Sequence, residues 1–299
     1  MKRSVIKSSH NCPVWVLIGF LAVQLSAQQT VAVDPSPSSD PKEIVRRSLE
    51  IDNRTAGLVR NYTYQQREVK KHLGRHGEVK SSYTRTWDVT NLYGEPYARL
   101  IQKDDKPLTA KEEEREEEKL EKFVSKRKGE SEEDRQKRQA KEKKERNEER
   151  AFLGEVLNAY DFRIAGEEIV DGRDVWVINA TPRKDFHPKH AYASLFSKIK
   201  GTVWIDKQEY TWVKVEGEAI DTMRVGLILA RIHKGTRFSV DQVRLNNEVW
   251  LKRRFYLEAS ARVLLLSNRA VELEYTFSNY KKFVTGTKIL PGVHEVEPK

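Results

Sequence analysis

The stretch Gly201–Glu218, GTVWIDKQEYTWVKVEGE, decides how the rest of the chain is read. Strand side chains alternate with a period of two, so Val203 and Ile205 point one way and Thr202, Trp204 and Asp206 the other. Lys207, Gln208 and Glu209 are too few and too polar for anything but a hairpin connection. The alternation then resumes, which predicts Val213 and Val215 on one face and Trp212, Lys214 and Glu216 on the opposite one.

Downstream, the same pattern returns at 220–233, 236–245, 248–259, 263–266 and 271–277, with an Asn246-Asn247 turn. Val249, Leu251, Phe255 and Leu257 are expected to share a face, as are Val271, Leu273, Tyr275 and Phe277, while Lys252, Arg254, Glu258, Glu272 and Glu274 face the other way. One apolar and one wet face describe an antiparallel sheet. Upstream, 162–169 and 175–180 flank the turn Asp171-Gly172-Arg173, and 187–198 reads as irregular or briefly helical. Earlier still, 61–73, 79–92 and 95–102 form three meandering strands. They follow a helix announced by Asp40-Pro41-Lys42-Glu43, with a capping Asp, Pro in the first turn and a carboxylate three residues on. Its apolar stripe is Ile44, Ile51 and Leu58, with Val45, Leu49, Ala56 and Val59 beside it. A helix followed by a strand meander makes the fold class α+β.

Residues 111–150 break the pattern. They hold fifteen Lys or Arg and fifteen Asp or Glu, so the segment is densely charged and formally neutral. Thr109 with Glu112 supplies a capping box, pairs such as Glu118–Lys122 and Asp134–Arg138 stand at helical spacing, and Gly129 interrupts. A charged helical insertion, bent into a hairpin or hinged rod, is predicted at 110–150. It is either a solvated excursion or an arm that docks an envelope protein partner. Because its charges cancel, it is not a nucleic-acid arm, which needs net positive charge for counterion release.

The 299 residues are 38% hydrophobic and 33% charged. Lys2, Arg3 and Lys7, then the apolar run 14–23 and Leu25-Ser26-Ala27, read as a signal peptide over 1–27. About ten apolar residues are too few for an ordinary transmembrane helix. A Pro- and Ser-rich linker at 28–39 follows, then one domain over 40–285 and a flexible tail at 286–299. The sole cysteine, Cys12, precedes the apolar run, so the exported chain has no disulfide and the expected compartment is a bacterial periplasm. Removing the three signal cations lowers the formal charge from +10 to +7.

Catalytic motifs are missing. There is no G-x-S-x-G elbow, no P-loop, no G-x-G-x-x-G after a strand and no cysteine nucleophile in the exported chain. His187 and His190 bracket Pro188 with no further ligand to complete a metal shell, and His72 and His76 flank a hairpin turn. Neither a catalytic residue, a metal site nor a cofactor is expected. Trp87, Trp176, Trp204, Trp212 and Trp250 fall on predicted strands, where large aromatics pack.

An exported chain with a leading helix, a strand meander, VWVINATP at 175–182, the element Trp204-Ile205-Asp206 with its following hairpin, and a long antiparallel tail resembles the outer-membrane lipoprotein carrier superfamily (LolA/LolB/RseB-like proteins). The resemblance implies an incomplete barrel: a curved antiparallel sheet whose open apolar side helices cover. It also implies an activity, holding lipid or lipoprotein acyl chains without catalysis in lipoprotein sorting to the outer membrane, or acting as an envelope sensor or scaffold. On that reading Val203, Ile205, Val213, Val215, Leu251, Phe255 and Leu273 line the apolar cavity, and residues 40–59 form a lid.

Overall fold

The computed structural model describes residues 40–282 except 56–57, 75, 226–229 and 264–266. The signal peptide, Cys12, the linker and the tail read from the sequence lie outside the described residues.

Helix α1 (Pro41–Thr55) starts where Asp40 Oδ1 accepts from the Lys42 N–H at 3.0 Å. Glu43 holds Arg46 at 2.6 Å and Arg47 at 2.9 Å along its exposed side. Ile44 and Val45 are buried, and Leu49 and Ile51 pack beside them. Leu58, expected on the same stripe, falls in a 3-10 turn after the helix and is 42% exposed.

The strands are β1 (Tyr62–Leu73), β2 (Val79–Leu92), β3 (Glu95–Lys103), β4 (Lys106–Pro107), β5 (Tyr160–Val170), β6 (Arg173–Pro182), β7 (Ile199–Asp206), β8 (Trp212–Ala219), β9 (Met223–Val225), β10 (Ala230–Ile232), β11 (Arg237–Leu245), β12 (Val249–Val263) and β13 (Ser267–Lys282). Eleven lie in one path, β4-β3-β2-β1-β13-β12-β11-β8-β7-β6-β5, while β10 pairs with β12 and β9 with β10. Every pairing is antiparallel, and β4 and β5 stay apart as edges, so the curved sheet is an unclosed barrel. The expected α+β fold is the observed one.

The insertion forms α2 (Ala110–Lys128), α3 (Glu132–Gly154) and the short α4 (Val156–Ala159). The Thr109–Glu112 capping box opens α2, Gly129 ends it, and Ser131 caps α3 by accepting from the Asp134 N–H at 3.1 Å. The arm is not free of the sheet. Leu120 is buried, the Phe123 ring lies tilted 5.0 Å from that of Tyr97 of β3, and Glu95 holds Arg127 at 2.6 Å and Arg138 at 3.0 Å.

Two β-bulges rearrange the expected faces. Directly opposed residues of antiparallel strands share a face, and a bulge shifts that alternation by one. In β7–β8, Trp204 opposes Lys214 but Ile205 opposes Trp212, leaving Val213 as the extra residue. Trp212 therefore joins the face of Val203 and Ile205, and Val213 packs instead with Val175, Val177 and Trp204. In β11–β12, Asp241 opposes Arg254 while Gln242 opposes Lys252, and Arg253 is the extra residue. Phe255 keeps the face of Leu257, whereas Leu251 leaves it and packs with Tyr62 and Val249. The expectation that Val213 shares a face with Val215, and Leu251 with Phe255, is thus corrected.

Candidate functional site

The pairing register lays two rows of side chains across the face that carries α1. In the first, Arg85, Glu68, Tyr275, Phe255, Val240, Val215, Val203, Ile178 and Ile164 oppose one another in turn. In the second, two residues along each strand, stand Tyr83, Lys70, Leu273, Leu257, Phe238, Gly217, Gly201, Ala180 and Phe162. Gly217 is required here, since the Phe238 ring lies where a β-carbon would project.

Helix α1 closes one end of these rows. Ile44 and Val45 pack with Trp176, Ile178, Ile205 and Tyr210, and Phe162, Ile164 and Val203 join the same cluster. At the other end Phe255, Tyr275 and Phe277 gather Tyr64, Phe238, Val240, Leu257, Leu273 and Tyr280, and among the described residues this cluster contains strand residues alone. Between the two, Val203, Val215, Val240, Leu257 and Leu273 remain only partly buried. An apolar lane thus runs from the helix-covered half into the open half of the barrel.

Of the seven residues expected to line a cavity, Val203, Val215 and Leu273 stand in this lane, and Phe255 is on the same face but buried in the strand cluster. Ile205 is on the same face but fully buried under α1 and acts as core. Val213 and Leu251 lie in other clusters, for the bulge reason given above.

Below the lane is a charged group that the sequence pattern did not reveal. Trp212 Nε1 donates to Asp52 Oδ1 of α1 at 3.0 Å. Burial lifts the Asp52 carboxyl to about 6 against that hydrogen bond and the pull of Lys252. Burial, with Asp52 adding to it, lifts Glu149 of α3 to about 7, and the same desolvation draws Lys252 of β12 down to about 8. All three side chains are partly buried, and desolvation leads the causes of each shift. In the sequence Lys252 is one cation in the run Lys252-Arg253-Arg254, and only the Arg253 bulge turns it inward.

The opposite face is structural. Trp204 donates to Glu168 at 2.9 Å and carries Lys214 over its ring at 4.5 Å. Asp206, 1% exposed, accepts from Arg173 at 2.6 and 2.9 Å and from the backbone N–H groups of Gln208 and Glu209, which shapes the turn. Those bonds explain why the Trp204-Ile205-Asp206 element is the recognisable part of the hairpin.

His187 and His190 line a separate cavity of about 520 Å³ with Glu155, Arg183, Asp185 and Lys189. Glu155 there accepts from the backbone N–H groups of Lys189 and His190 at 2.9 and 2.8 Å, a loop-holding role. Among the described residues no group of three or more His, Cys, Asp or Glu could hold a metal ion, and no helix is long and apolar enough to cross a membrane.

No family model and no curated protein matches the chain. Solved structures do. The chain is similar to a LolA-superfamily protein. That protein, from Nitrosomonas europaea, is 12% identical with a TM-score of 0.28, over 85% of this chain and 96% of that one. A putative outer membrane lipoprotein-sorting protein domain from Vibrio parahaemolyticus is 13% identical with a TM-score of 0.28, over 82% and 95%. The MucA/MucB complex of Pseudomonas aeruginosa matches at 11% identity and a TM-score of 0.21, over 83% of this chain and 100% of that one.

Proposed function

We propose that this protein is a non-catalytic binder of lipid or lipoprotein acyl chains in the periplasm, with a place in lipoprotein sorting to the outer membrane. The observation that carries the reading is the lane Val203–Val215–Val240 with Leu257 and Leu273. It is apolar, it is continuous across five strands, and it is only partly buried. A sheet face that served only as core would be covered along its length, because exposed apolar surface costs about 25 cal/mol per Å². An acyl chain laid along the lane removes that surface from water, and α1 forms one wall of its bed. The resemblance of the Trp204-Ile205-Asp206 hairpin supports the same reading.

Several of the charged arm's exposed charges pair within it, as in Lys122–Glu118 at 3.3 Å and Lys137–Glu133 at 2.6 Å, and Phe123 packs against Tyr97 of β3. Glu149 also interacts electrostatically with Asp52 and Lys252, so deleting the arm would alter their charge environment as well as any partner contact.

The test is native mass spectrometry of protein purified from membranes, together with titration of a fluorescent acyl probe. A co-purifying lipid and saturable probe uptake are expected. Absence of both overturns the proposal.

A further inference from the structure

Both rows of the helix-side face reach charged residues on the β1–β2 side, and past Arg85 the first continues to Lys103 of β3, whose charge pairs with Glu112. Lys70 stands directly opposite Leu273, and Arg85 stands opposite Glu68, which opposes Tyr275. The two cations share one platform: Lys70 Nζ lies 5.9 Å and the Arg85 guanidinium carbon 4.8 Å from the centre of the Tyr83 ring. The carboxylate between them is already engaged. Glu68 is buried and accepts from the Tyr275 hydroxyl at 2.9 Å. Neither Lys70 nor Arg85 forms an ion pair among the described residues, although most other cations of the sheet do, as in Lys71–Glu272, Arg254–Glu274 and Arg67–Asp105. Two cations against one committed carboxylate leave net positive charge at the end of an apolar lane.

We infer that Lys70, Arg85 and Tyr83 form a head-group site for an amphiphile with a single phosphate head, whose acyl chain lies along Leu273, Leu257 and Val240. This rests on the acyl-binding reading above and specifies its ligand class. Charge complementarity selects an anionic head. The shape of the site selects phosphate over carboxylate: the planar guanidinium fork of Arg85 would by itself satisfy a carboxylate, whereas a tetrahedral phosphate keeps oxygens free for an ammonium group approaching from another direction. The Tyr83 ring holds both side chains in place, which lowers the entropy cost of gathering two flexible cations round one head group.

The full chain is titrated with three fluorescent probes of equal chain length: lysophosphatidic acid, lysophosphatidylcholine and the free fatty acid. The wild type is expected to bind the phosphate probe at least about tenfold more tightly than the choline probe, the return on charge-assisted hydrogen bonds. The double variant Lys70→Gln with Arg85→Gln is expected to lose that preference and to keep its affinity for the choline probe. Raising salt should weaken only the phosphate probe, and this measurement on the wild type stands if the double variant does not fold. Equal affinity for phosphate and choline probes, a preference that survives in the double variant, or a fatty acid bound as tightly as the phosphate probe overturns the head-group site and leaves acyl binding intact. Failure of all three probes overturns acyl binding and the head-group site with it.

Discussion

Trp212 Nε1 lies 3.0 Å from Asp52 Oδ1, and this hydrogen bond fastens α1 to the sheet. It exists because the bulge at Val213 turns Trp212 inward. Trp212→Phe keeps the ring and removes the donor, leaving a desolvated carboxyl short of a partner. The expected cost is about 1–3 kcal/mol, read as a lowered denaturation midpoint at unchanged m-value. A midpoint equal to that of the wild type would show that the bond does not hold the helix.

Burial of Asp52 and Glu149 sets a pH dependence of definite sign. Asp52 and Glu149 titrate near 6 and 7 in the fold, against ordinary values near 4 in the unfolded chain. The folded state therefore holds protons that the unfolded state releases, and their contribution to stability falls as pH rises from about 4 to about 7. Glu43 and Glu112 act oppositely. Hydrogen bonds from Arg46 and Lys103 respectively lead the causes that hold each near 2, so their contribution is present above about pH 4.5 and is lost in acid. Denaturation of the wild type, Asp52→Asn and Glu149→Gln between pH 4.5 and 8 should show the decline toward neutrality flattened in both variants. An unchanged slope would remove these carboxyls from the account.

Asp206 anchors the turn of the central hairpin by accepting from Arg173 and from two backbone N–H groups in a buried setting. Asp206→Ala strands a guanidinium and two donors together. A loss of about 3–5 kcal/mol is expected from calorimetry or denaturant melts, with Asp206→Asn in between.

The two bulges make a paired test of the faces. Val213→Glu places a charge among Val175, Val177 and Trp204, so the protein should lose solubility or melt far earlier. Val215→Glu places it in the partly buried lane, where the fold should survive while acyl-probe uptake is abolished. Equal damage to folding by both would contradict the assigned faces.

Glu95 accepts from Arg127 and Arg138, the partly buried cations that pin the charged arm to β3. Glu95→Ala should speed limited proteolysis within residues 110–150 and leave the rest of the sheet resistant. Cleavage at the wild-type rate would mean that Leu120 and Phe123 hold the arm alone.

What the sequence alone determined is what local chemistry dictates. The period-two pattern placed nearly every described strand, and Thr109, Gly129 and the Asp171-Gly172 turn marked element boundaries within a residue or two, because caps and turns act over three or four residues. The helix-side face of Val203, Val215, Phe255 and Leu273 was legible for the same reason. The tertiary structure alone decided where the alternation breaks. A bulge is set by how a strand fits its neighbour, and nothing in TWVKV or LKRRF marks Val213 or Arg253 as the extra residue. From those two positions follow the loss of Val213 and Leu251 from the lane, the inward turn of Trp212 and Lys252, and the meeting of Asp52, Glu149 and Lys252 from three distant segments. Burial by long-range packing, and not residue type, shifts those groups.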